Sequence, residues 1–413
     1  MTEVSDNNAA SGAWNPDIRS TLPARYLPLS TMFRPENVYT TIDTVNELHD
    51  FTGLPIQQLI GFRPERLVVH ELLIRVSADI FVSDGSRYED LGVNFREVVA
   101  TLLRNSIEPH MCVIVARFEQ LRSDCGTLAT VRLAQELFAP PAQPAGPERG
   151  FSLSRLFRSR PAKVKPATGE TLEQRHQRIL ASWKQLASEG NDALSRAVYA
   201  ALALVANALI IKHGRIVGDK PLLASLVTGL VCNQHGSEII GEMITAHVDE
   251  GIATEGYRRL PPQAEPVVIN VKGASASGKS TMRPRQQKHV EKLGLNWQDF
   301  ALISPDIWRK YLLDYDSLGE ACKYAGTLAG DEIPIVDRKL DRYIARKAAN
   351  GKISHLLIDR FRFDSFAPGH DSEQGSNLLT RFGHTIYLLF MVTPPPARTM
   401  LVAAVRKPSA GTI

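Results

Sequence analysis

EPVVINVKGASASGKST, residues 265–281, is the stretch whose reading decides the rest of the chain. The apolar run Val267 to Val271 leads straight into Gly273, Ala274, Ser275, Ala276, Ser277, Gly278, Lys279, Ser280 and Thr281. A strand, a glycine-framed loop ending in Gly-Lys-Ser and a helix after it make the pattern G-x-x-x-x-G-K-[ST], a phosphate-binding loop. Each residue type has a physical reason. Gly273 and Gly278 permit backbone angles that a Cβ forbids, so successive N–H groups can curl around phosphate oxygens. Lys279 supplies a mobile charge for the β- and γ-phosphates, and the Ser280 hydroxyl suits a Mg²⁺ ion. The helix beyond presents its positive end to the same anion. The loop therefore points to ATP with Mg²⁺ as its ligand.

Outward from the loop, residues 265–413 alternate strands and helices. Strands are expected at 267–271, 300–304, 355–358 and 385–392. Helices are expected from Gly278 to about Leu293, after Asp306, and over 335–349, 374–382 and 397–406. Apolar strands alternating with helices predict an α/β fold of the P-loop NTPase type, a parallel sheet covered on both faces. Pro284 falls inside the first of these helices and should kink it. Little chain remains after the fourth strand's helix before Ile413, which leaves a lid or fifth strand unaccounted for.

The first 260 residues read as all-α. Residues 1–30 form a polar tail, and 31–138 and 171–260 carry apolar residues at three- and four-residue steps, as in ERLVVHELLIRVSADIFV (65–82). Segment 220–251 reads as two helices broken near His235-Gly236. Between the helical regions, 139–170 is proline-rich and basic, with Arg149, Arg155, Arg158, Arg160, Lys163 and Lys165 against the single acid Glu148. That composition predicts a solvated linker; the alternative is a patch for an acidic partner or anionic lipid. Val198 to Ile211 is apolar apart from Asn207, but shorter than the roughly 20 residues of a bilayer span. A helix buried all round is expected there, and no membrane span.

Composition narrows the function classes. A net charge of +4 over 413 residues does not indicate a nucleic-acid binder. Cys112, Cys125, Cys232 and Cys322 lie far apart, which argues against a zinc site or a disulfide framework and for a reducing, cytoplasmic compartment. The N-terminus lacks the apolar core of a secretory signal.

Ligands in such sheets bind beyond the carboxyl ends of the strands, so the residues just past each strand matter most. After the second come Ser304-Pro305-Asp306-Ile307-Trp308-Arg309; after the third, Asp359-Arg360-Phe361-Arg362; after the fourth, Thr393-Pro394-Pro395, then Arg398 and Arg406. With the phosphate loop, Asp306-Ile-Trp-Arg309, Ile358-Asp359 and Val392-Thr-Pro-Pro395 in this order, the chain resembles the zeta toxin family of P-loop kinases over roughly 265–408. The resemblance implies transfer of a γ-phosphate from a nucleoside triphosphate to a hydroxyl of a small molecule, in the family's best-known cases a UDP-linked amino sugar. It also implies a protein partner or antidote, for which the helical region is the expected place. The chain departs from the family at Asp359-Arg360-Phe361, where a glutamate, glycine and threonine are usual.

Position suggests roles. Asp306 is the candidate general base, expected to face the phosphate loop; as an alternative it caps the helix IWRKYLL. Asp359 is the candidate Mg²⁺ acid, directly or through water; the alternative is a surface turn. Arg309, Arg360, Arg362, Arg398 and Arg406 are candidates for substrate or for the charge on the transferring phosphoryl group. Asp331-Glu332, beside Gly330, reads as a polar loop, the alternative being a metal or substrate contact, and Arg338 and Arg342 read as local salt bridges on a helix that also carries Asp337 and Asp341. His289, His355 and His384 show no ligand spacing. Three functions remain in play: a zeta-toxin-like kinase, a nucleoside or sugar kinase of another kind, and a nucleotide-binding switch or adaptor acting through the helical region.

Overall fold

A computed structural model describes residues 22–85, 90–139, 171–272, 282–359 and 382–390. The phosphate loop 273–281, the linker 140–170, Arg360, Arg362, Arg398, Arg406 and the helix at 397–406 lie outside them, as does nearly all of the helix expected at 374–382. The helices in order are α1 (Ile42–Thr52), α2 (Ile56–Leu59), α3 (Pro64–Asp79), α4 (Asp90–Leu102) and α5 (Met111–Arg132). They continue with α6 (Leu172–Glu189), α7 (Ala193–His213), α8 (Lys220–Val231) and α9 (Ser237–Thr254). The last are α10 (Arg283–Lys292), α11 (Pro305–Leu312), α12 (Tyr315–Leu318), α13 (Ala325–Leu328) and α14 (Ile333–Ala349). The strands are β1 (Val267–Lys272), β2 (Phe300–Ile303), β3 (His355–Asp359) and β4 (Thr385–Phe390).

The chain divides into two compact units. One joins Met1–Ile42, Phe62–Arg117 and Ser237–Ile413; the other joins Asp43–Gly61 and Phe118–Gly236. Helices from the N-terminal side of residue 265 therefore belong to the same unit as the sheet.

In that unit the strands form one four-stranded parallel sheet in the order β2-β3-β1-β4. Val271 lies opposite Asp359, and Val267 opposite Thr385. Parallel neighbours need long crossovers, which the intervening helices supply. On one face Ile269, Val271, Phe300 and Leu357 pack with Val290 of α10 and with Trp297. Each such side chain, fully buried, contributes about 1.5–3 kcal/mol. Asn270 points away from that cluster; it is buried, and its Oδ1 has no hydrogen-bond partner among the described residues. Ring nitrogen Nδ1 of His355 accepts the Val267 N–H at 2.9 Å, and burial holds this imidazole below its usual pKa. It is a structural acceptor at the foot of the sheet.

Helix α3 packs against β2, α9 and α14. Nearly every residue from Pro64 to Ala78 is buried, charged ones included. Pro284 does not kink α10: it lies in the first turn, where its missing N–H costs nothing, because the described helix begins at Arg283 rather than Gly278.

The second unit is helical. α7 packs between α6 and α8. The side chain of Thr171 and that of Gln174 cap the start of α6 reciprocally. Gly214, at φ 74°, ends α7 in the left-handed conformation that favours glycine. The break expected near His235-Gly236 is a wide turn of helix over Cys232–Gly236 between α8 and α9. α7 is longer than its apolar run and is not buried all round, since Ile211 is 78% exposed. By length and composition, Ala193–His213 and the continuous helical stretch Asp90–Leu137 are both able to cross a membrane.

Candidate functional site

Strand order sets the geometry of the site. The chain leaves β1 toward the β2 edge and leaves β3 toward β4 on the opposite side, so connections diverge between β1 and β3. A crevice opens at such a switch point beyond the carboxyl ends of the strands. β1 delivers Lys272 there, with the 273–281 loop next in sequence, and β3 delivers Asp359 beside it.

Asp359 is largely buried and faces a cation. Nη2 of Arg283, at the start of α10, stands 3.9 Å from its Oδ2, and the two side chains are 11% and 12% exposed. Neither belongs to a surface turn. The fit of Mg²⁺ rests on the donors present. Among the described residues no three His, Cys, Asp or Glu side chains converge. Mg²⁺ is commonly held by one or two carboxylates with substrate phosphates completing the shell, so a single carboxylate at this place is compatible with it.

Asp306 follows β2, in the first turn of α11. β3 stands between β2 and β1, so the ends of β2 and β1 are about two strand spacings apart, roughly 10 Å. Asp306 does not cap α11: Ser304 occupies the cap position, and Asp306 lies in the first turn. Its carboxylate is 74% exposed and accepts from Arg309 Nη1 at 2.9 Å. An acid at a helix N-terminus with a basic partner three residues on is favourable in its own right. Arg309, a candidate for substrate, is thus engaged by Asp306.

The cluster that sequence reading missed lies inside the same unit. Glu332 is not part of a polar loop; it is fully buried at the start of α14. Arg66 grips it with two bonds, Nε to Oε1 at 2.6 Å and Nη2 to Oε2 at 2.7 Å. His70 Nε2 lies 2.7 Å from Oε1, and His70 Nδ1 lies 3.1 Å from Lys339 Nζ. An ammonium only donates, so Nδ1 accepts and Nε2–H donates to Glu332: the imidazole is neutral. Lys339 donates also to Ser237 Oγ at 2.7 Å, Ser237 donates to Glu71 Oε1 at 2.7 Å, and Arg75 Nη1 donates to Glu71 Oε2 at 2.9 Å. Arg75 Nη2 also bonds the Gly241 carbonyl. A Cβ on Gly241 would stand 2.5 Å from Glu71 Oε2, so glycine is required for α9 to come this close. Arg342 pairs across to Glu238 of α9 at 3.7 Å. The available signal was Arg66, His70, Glu71 and Arg75 at helical spacing within an otherwise apolar helix.

With His70 neutral, three cations face two carboxylates in this chain of bonds. Burial and the Lys339 charge push His70 down to about 4, and burial pushes Lys339 down to about 8. Burial alone would raise Glu332; Arg66 and the His70 bond override it and hold the carboxyl well below the usual range.

These shifts make stability depend on pH. As pH falls from about 6.5 to 4, the unfolded chain protonates this imidazole and the folded one does not, so stability drops by about 3 kcal/mol. Below the ordinary carboxyl range Glu332 adds a loss of the same sign. Lys339 acts at the other end: between about 8 and 10.5 the folded chain has shed a proton that the unfolded one keeps, so the unfolded chain binds more protons and stability rises with pH across that window. Denaturant titrations across this range measure the slopes. A His70→Gln variant is expected to lose most of the acid slope, and an unchanged slope would contradict the assignment.

No family model, curated protein or solved structure matches this chain.

Proposed function

We propose that the chain is an ATP- and Mg²⁺-dependent phosphotransferase acting on a hydroxyl of a small molecule, with a nucleotide-linked sugar as the acceptor class that the zeta toxin resemblance implies. The observation that carries this reading is the switch point between β1 and β3, where the Gly-Lys-Ser loop pattern comes after one strand and Asp359 ends the other. In this reading the loop N–H groups and Lys279 hold the phosphates, and a bound Mg²⁺ would supply charge neutralisation for them. Asp359 and Ser280 are the residues that would hold it. Asp306, in the first turn of the helix after β2, takes the hydroxyl proton. A second reading, a nucleotide-dependent switch, is favoured by α3 packing directly on β2, which gives the sheet a helical partner to act on.

Lys279→Ala is the direct test. Losing a charge-assisted contact to phosphate should cost about 1.5–3 kcal/mol, about ten- to a hundredfold in ATP affinity. A titration in which the variant binds as tightly as the parent rejects the site. Labelled ATP incubated with nucleotide sugars, nucleosides and proteins then separates the kinase reading from the switch, which labels none of them.

A further inference from the structure

We propose that one face of α7 is a self-association surface, on which a second copy of this chain docks its own α7, antiparallel about a two-fold axis at Leu204. The face is the stripe Ala197, Ala200, Leu204, Asn207, Ala208 and Ile211. Steps of three and four residues put these positions on one side of the helix over about four turns. Ala200, Leu204 and Ile211 are exposed, Leu204 by 39% and Ile211 by 78%, and Ala197, Asn207 and Ala208 are half-buried. The rest of the helix is taken: Val198, Leu202, Val205 and Leu209 are buried, and α7 packs against α6 and α8. One outward stripe is what a helix–helix seam requires, whereas a bilayer span presents apolar residues all round.

Two gradients along the stripe choose the occupant. Size runs from small to large, with alanines at 197 and 200, leucine at 204 and isoleucine at 211. A two-fold axis at Leu204 sets Ile211 of each copy against Ala197 and Ala200 of the other, so large fills small at both ends. A parallel pair would stack Ile211 on Ile211 and leave alanine facing alanine. Charge is graded too. No residue from Ala197 to Ile211 is charged. Glu189 and Asp192 stand exposed before the amino end of α7, whereas Lys212, His213 and Arg215 stand exposed at its carboxyl end. Arg196, near the acidic end, is turned back onto the Gly190 carbonyl at 2.9 Å. Antiparallel docking brings the acidic end of each α7 to the basic end of the other and aligns their macrodipoles favourably. The stripe is thus self-complementary in shape and in charge, as a two-fold contact demands. One helix pair covers less than the about 800 Å² per partner of a standard interface, so the dimer should dissociate on dilution. The stripe lies in the helical unit, and the proposal is independent of the nucleotide reading.

The test is sedimentation equilibrium of the full chain over about a hundredfold range of concentration, in which the parent is expected to pass from monomer to dimer. Ile211→Glu, at a position 78% exposed, should raise the dissociation constant at least about tenfold. Arg215→Glu should raise it about two- to fivefold, as should added salt. Val113→Glu, at an exposed apolar residue outside the stripe, should leave it unchanged. Register is read by oxidative crosslinking on a Cys112→Ser background. Leu204→Cys should crosslink to itself, because it lies on the axis; Ile211→Cys should not, and should join instead to Ala197→Cys. Thermal melting checks each variant, and Ile211→Ser carries the same expectation if the Glu variant does not fold. A parent that stays monomeric, a dimer indifferent to Ile211→Glu, or Ile211→Cys crosslinking to itself overturns the proposal. Binding of a monomer to phospholipid vesicles that Ile211→Glu abolishes also overturns it, and gives the stripe to a membrane.

Discussion

Asp306→Asn is expected to lower phosphoryl transfer about 10²–10⁴-fold while ATP still binds with parental affinity. The substitution is nearly isosteric and leaves a carbonyl oxygen for Arg309, so the first turn of α11 should keep its 2.9 Å contact. What it removes is the capacity to accept a proton. Asp306 suits that duty because its carboxylate is 74% exposed and so open to an incoming hydroxyl. Single-turnover assays with labelled ATP and the accepted substrate measure the rate, and a nucleotide titration measures binding. Equal turnover in the variant would reduce Asp306 to the surface partner of Arg309.

Glu332→Ala is expected to destabilise the fold by about 3–5 kcal/mol, the usual cost of removing one partner from a buried ion pair. Three groups lose their acceptor at once: two guanidinium nitrogens of Arg66 and the His70 Nε2–H. None has water to turn to, since Glu332 and His70 are 0% exposed and Arg66 8%. A domain's whole stability is about 5–15 kcal/mol, so the variant should unfold at markedly lower denaturant concentration. Glu332→Gln should cost less, because its carbonyl still serves one of the donors. A loss below about 1 kcal/mol for the alanine variant would mean that solvent reaches the cluster.

The strands were legible because buried parallel strands are written as short β-branched runs. Val267 to Val271 and His355 to Ile358 fell within a residue of the observed limits, and the all-parallel sheet agreed with the helices expected between them. Position past a strand's end is also what singles out Asp359, the last residue of β3, and Asp306, in the turn of helix after β2, as candidates. What could not be read was lateral order. Nothing local says that β3 inserts between β1 and β2, and that insertion is what sets Asp359 opposite Val271 at the end of β1 and puts β2 one strand further away. Charge pairing was equally opaque. Glu332 beside Asp331 looks like surface, because its partners Arg66 and His70 stand 266 and 262 residues away in sequence. Helical spacing predicts pairs within a turn, so it suggested Asp337 or Asp341 for Arg342 and missed Glu238 on another helix.

The reach of that Arg66–Glu332 bond bears on how the chain is born. At about 5–20 residues per second, a ribosome needs roughly 13–50 s to travel the 266 residues between the two. Through that interval α3 exists with Arg66, His70, Glu71 and Arg75 but without Glu332 or Lys339, and its apolar residues lack β2 and α14. The helical unit, complete at Gly236, has all its residues much earlier. Order of synthesis therefore places the helical unit first and holds the sheet-bearing unit open until its last third emerges. In the meantime α3 is an apolar segment with unmatched charges, the kind of nascent stretch that chaperones bind, and a stalled or shortened product would expose it permanently.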